Sequence, residues 1–142
     1  MATIAPAILN LHNLMVPLIL TAGGLTLIGG IVLLVMRRGV ADTDTPSSSA
    51  APLVARLYRI LLWVTAGLGA LQAVFGGLLY LAGERPGEVL HYVYGGIVLL
   101  AIPVAYVYSD QKRVRRDLII MVIALVAVIG AAVRALMTGA PH

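Results

Sequence analysis

Long runs of apolar residues alternate with short polar stretches along this chain, and the runs are of membrane-crossing length. Pro17 to Met36 carries no charge over twenty residues, close to the ~20 that one helical crossing needs. Residues 1–16 are apolar too, but Asn10, His12 and Asn13 interrupt them. They lack the basic start and small-residue cleavage site of a usual signal peptide. Two starts for the first helix are open. It begins near Pro17, since proline suits a first helical position, or near Ala7, as a helix of roughly 45 Å at about 1.5 Å per residue. The longer helix overshoots a ~30 Å hydrocarbon core unless it tilts or protrudes.

Taking the longer start, the pattern predicts spans at about 9–36, 57–82, 88–109 and 117–137. A polar, flexible loop over 39–55 contains Asp42, Asp44, Pro46 and three serines. Residues 83–87 make a short turn, and residues 110–116 make a strongly basic loop. Short connections favour antiparallel neighbours. The expected fold is therefore all-α: one integral membrane domain over residues 1–142, built as an up-down bundle of four transmembrane helices.

Composition strengthens this reading. The chain is 61% hydrophobic and 11% charged, where a soluble domain carries about a quarter charged residues. With no cysteine, disulfides, thiol redox chemistry, iron–sulfur clusters and cysteine-ligated zinc are all excluded.

The net charge of +4 is explained by its placement. Arg37, Arg38, Arg56, Arg59, Lys112, Arg113, Arg115 and Arg116 fall on one side of the predicted bundle. Arg85 and Arg134 fall on the other. The positive-inside rule puts the first group in the cytoplasm and both termini outside, in a bacterial-type cytoplasmic (inner) membrane. The same residues can attract anionic lipid headgroups. Nucleic acid is not expected as a partner, because topology accounts for the charge and no stacking aromatics accompany it.

The third span, Glu88 to Ser109, holds the only histidine well inside an apolar segment, His91. An ionisable residue there marks a functional-site hypothesis. Gly95 lies one turn on, where a flat ligand or another helix can approach. Counting from the basic ends at about 1.5 Å per residue, His91 and Tyr80 lie roughly 31 Å up and Arg134 roughly 27 Å. Met15 falls in the same layer at about 33 Å, His12 lies nearer the headgroups at about 37 Å, and Gln72 is deeper at about 20 Å.

On a bundle diagonal of ~11–14 Å, two imidazoles can reach one iron. His12 and His91 are thus candidate ligands of a b-type haem, with Met15 as alternative axial ligand and Arg134 and Tyr80 near the propionates. The layout, four spans with one ligand pair on the first and third, resembles small four-helix b-type cytochromes. Multi-haem members of that group use more intramembrane histidines than this chain has.

Simpler roles stand beside these. His12 also reads as an interfacial residue beside Asn10 and Asn13, and His91 as a hydrogen-bond partner of Gln72, Tyr80 or water. Arg134 reads as the partner of Glu84 or Glu88. Thr65, Gly69, Ala73 and Gly77 form a small-residue stripe for helix packing. Pro103 is expected to kink the third span.

All six carboxylates lie in loops or at span ends, which disfavours a proton-coupled transporter. No nucleotide loop, zinc-protease helix or serine-nucleophile motif is present. The expectation is a small membrane subunit of a respiratory or photosynthetic electron-transfer complex, without catalytic activity of its own. The alternatives are a cofactor-free accessory subunit packed on a larger membrane complex, and a small transporter or channel.

Overall fold

The computed structural model describes residues 5–36, 51–109 and 113–139. They form four helices: α1 Ala5–Met36, α2 Ala51–Leu81, α3 Leu90–Tyr108 and α4 Val114–Gly139. There is no strand among the described residues. All four helices are long and apolar enough to cross a membrane, which marks a multi-pass membrane protein.

The boundaries refine the expectation. The longer start for α1 holds, and Pro17 sits inside the helix. It withholds the N–H that would meet the Asn13 carbonyl, while its own carbonyl accepts the Thr21 hydroxyl at 2.8 Å. The polar loop expected over 39–55 lies outside the described residues up to residue 50, and residues 51–55 are already helical. Arg56 and Arg59 thus project from α2 rather than precede it.

Helix ends are closed by hydrogen bonds. After α2, Gly83 turns to φ 94°. Its N–H reaches the Tyr80 carbonyl at 3.1 Å, and the Glu84 N–H reaches that of Leu79 at 3.0 Å. This is the paired C-terminal motif that favours glycine. Arg85 adds a 2.7 Å bond to the Tyr80 carbonyl and lies over the Tyr80 ring at 3.9 Å. At the start of α3, the Glu88 N–H donates to the Thr138 carbonyl of α4 at 3.3 Å. One helix's spare donor thereby meets another's spare acceptor.

Packing forms a closed ring: α1 lies on α2 and α4, and α3 lies on α2 and α4. The diagonal pairs do not pack on one another among the described residues. Residue numbers fall on one helix as they rise on its neighbour. Thr26 meets Thr65, and Gly30 faces Tyr58 and Val122. Gly69 faces Val98, and Trp63 meets Tyr106.

Ile19, Ile102, Leu125, Val128, Thr26 and Thr65 are the most deeply buried side chains. The Thr26 and Thr65 hydroxyls lie 3.2 Å apart. Each also points at a carbonyl one turn back in its own helix, Ala22 at 2.6 Å and Leu61 at 2.8 Å. Two protons serve three acceptors, so the link between α1 and α2 shares a donor with a helix carbonyl.

The outer surface is apolar on all four helices, with Leu81, Val107 and Ile123 among many exposed side chains. A helix that is apolar all round suits lipid rather than water.

Candidate functional site

The site is a side-chain cluster across the bundle diagonal. His12 from α1 and His91 from α3 stand with ring centroids 6.1 Å apart and planes inclined at 46°. Their helices do not pack together, so the side chains span the space between them. Both residues are half-buried.

His91 is held from α4. Its Nδ1 lies 3.0 Å from the Ala135 carbonyl oxygen. A carbonyl only accepts, so Nδ1 carries the proton and the neutral ring's lone pair is on Nε2. Gly139 permits this placement: a Cβ there would stand 3.0 Å from His91 Cε1 and 3.1 Å from Nδ1. A backbone acceptor on one ring nitrogen is the usual device for orienting a ligating imidazole.

His12 is held from α2. Its Nε2 lies 3.2 Å from Gln72 Nε2. The Gln72 amide donates there, which places the His12 proton on Nδ1. The ring lies over Gly76, whose missing Cβ would be 3.4 Å from His12 Cε1. His12 Nδ1 and Gln72 Oε1 are buried without a hydrogen-bond partner. Two orphaned polar atoms in one cluster are costly in an apolar interior.

The donor set limits what the cluster can hold. Among the described residues no group of three or more His, Cys, Asp or Glu converges, whereas protein zinc sites use three or four such ligands. Two imidazoles suffice for a metal that brings its own equatorial ligands, as haem iron does. Ring nitrogens about 2.0–2.1 Å from a shared metal put two imidazole centroids roughly 6 Å apart. The observed separation suits that arrangement. His91 keeps its lone pair on Nε2; His12 must release Nε2 from Gln72, because its Nδ1 carries the proton.

The other expected residues divide. Gln72 joins the cluster directly. Met15 is half-buried against the hydrophobic core, one turn from His12. Gly95 has no atom within 4 Å of a notional Cβ. Tyr80 packs edge-on to Tyr92 at 5.9 Å and supports Arg85. Ala135, Gly76 and Gly139 complete the site and were not foreseen as parts of it. The Ala135 contribution is a backbone carbonyl and leaves no trace in residue type.

Arg134 meets Tyr94 first, and Glu88, one of its two expected partners, attracts it as a weaker, longer-range neighbour. It is exposed, and its guanidinium lies over the Tyr94 ring at 5.8 Å from the centroid. The antiparallel packing that puts His91 beside Ala135 also brings the Tyr94 ring within reach of the Arg134 side chain. Arg134→Leu is expected to lower thermal stability in detergent. The loss should shrink in a Tyr94→Leu background and persist in a Glu84→Gln/Glu88→Gln background. The opposite pattern would restore the carboxylate pairing.

No protein-family model, no curated protein and no solved structure matches this chain.

Proposed function

We propose that this protein is a small integral membrane subunit of an electron-transfer complex that binds one b-type haem between His12 and His91. The observation that carries the reading is the 6.1 Å approach of two imidazoles from diagonal helices whose backbones stay apart. The Ala135 carbonyl on His91 Nδ1 supports it, because it leaves Nε2 as the free donor. Bound there, haem would supply one-electron chemistry. The chain's own part is to orient the two rings and surround them with apolar side chains. Purified protein supplied with haem is expected to show a reduced-minus-oxidised b-type spectrum. A colourless product under those conditions refutes the proposal.

A cofactor-free accessory subunit is the second reading, and the His12–Gln72 hydrogen bond favours it. In that reading the two polar side chains satisfy one another as an interhelical tie, and the apolar surface packs on a larger membrane complex or lipid.

We further propose that the bundle is up-down, with both termini outside a bacterial-type inner membrane. Lys and Arg asymmetry supports this orientation. Reporter fusions at residues 45 and 113 are expected to read cytoplasm, and an external signal at either position reverses the orientation.

A further inference from the structure

We propose that the α2 face formed by Arg56, Arg59, Ile60 and Trp63 is a binding site for an anionic phospholipid. Ala55, Arg56, Arg59 and Ile60 line an open groove. Arg56 and Arg59 are three residues apart, on one helix face. Both are exposed, and neither has a hydrogen bond or ion pair within the described residues. Two guanidinium forks flanking one groove match a phosphate, which they bind in bidentate fashion.

The residues around the groove indicate lipid rather than a soluble anion. Arg59 is the last charge on α2, and the next charged residue is Glu84. The intervening helix to Tyr80 rises about 31 Å, one hydrocarbon thickness, so Arg56 and Arg59 stand at headgroup depth. Ile60 and Trp63 lie just inside that level, both half-exposed. Trp63 packs edge-on to Tyr106 of α3 at 5.2 Å, the kind of aromatic pair found where headgroups meet acyl chains. Leu57 and Val64 extend the exposed apolar surface on either side. One ligand then matches all the parts: a phosphate on the arginines and an acyl chain along Ile60 and Trp63. This site is on the helix surface and is independent of the histidine cluster.

The test is native mass spectrometry of the full-length protein in detergent, titrated with phosphatidylglycerol or phosphatidylcholine of identical chains. Phosphatidylglycerol is expected to bind at least tenfold more tightly. Arg56→Gln/Arg59→Gln should weaken it roughly thirtyfold, from about 1 kcal/mol per basic residue near a membrane surface. Arg113→Gln/Arg115→Gln/Arg116→Gln, which removes three charges at the start of α4 and just before it, should weaken it far less. Arg56→Lys/Arg59→Lys keeps the charge without the forks and should fall between; it also serves if the glutamine variant does not fold. Equal binding of the two lipids overturns the proposal. So does an equal loss in the α4 variant, which would indicate diffuse attraction to a basic surface. Inorganic phosphate displacing the lipid at equal concentration would make the ligand a free anion and also overturns it.

Discussion

Replacing Gly69 with valine is expected to force α2 and α3 apart and cost about 1–3 kcal/mol of stability. A Cβ at position 69 would stand 2.9 Å from the Val98 carbonyl oxygen and 3.4 Å from its Cγ1. The oxygen belongs to helical backbone and cannot turn aside, so the helix must move. The α2–α3 interface is the thinnest of the four, and few other contacts can compensate. Gly30 provides the contrast. A Cβ there would meet Val122 Cγ2 at 3.0 Å and Tyr58 Cε2 at 3.1 Å, but both are side-chain atoms that can shift. Gly30→Ala should therefore cost less than Gly69→Ala. Gly67, with no atom within 4 Å, is the control for changed helix propensity. Unfolding in mixed detergent measures all of these. If Gly69→Val is as stable as Gly67→Val, the close approach of α2 to α3 is wrong.

The second large effect concerns the proposed haem. His91→Ala is expected to remove the b-type spectrum entirely, because His91 is the ring whose Nε2 is left free by its backbone bond. His12→Ala should change the spectrum rather than erase it if Met15, one turn along α1, replaces the lost ligand. Gln72→Leu separates the two functional readings. For a haem protein it removes a competitor for His12 Nε2, and haem should be retained. For a cofactor-free bundle it removes an interhelical bond from a half-buried imidazole, which should cost about 0.6–2 kcal/mol and change no spectrum. Loss of haem in Gln72→Leu together with retention in His91→Ala would refute the ligand assignment.

Residue order and composition determined the elements of this protein. Four apolar runs, the charges between them and the glycine after Leu81 predict four helices and the turn at 83–87, with ends misplaced by a few residues. Helix ends are legible because the change from apolar to charged residues is abrupt. His91 was legible for the same reason, as a polar residue in an apolar run.

What meets what was decided only by the tertiary structure. Thr65 and Gly69 lie on one expected stripe, yet Thr65 faces α1 and Gly69 faces α3. The pairing of His91 with His12 was an expectation from the chain, but only the structure shows that His91 hangs from the Ala135 carbonyl and His12 from Gln72. In water, an amphipathic pattern tells which helix face turns inward. In lipid the inward and outward faces are both apolar, so periodicity carries little information about helix rotation. That rotation is set by close packing at Gly23, Gly30 and Gly69 and by a few polar contacts. These are properties of pairs of helices, and no single run of residues contains them.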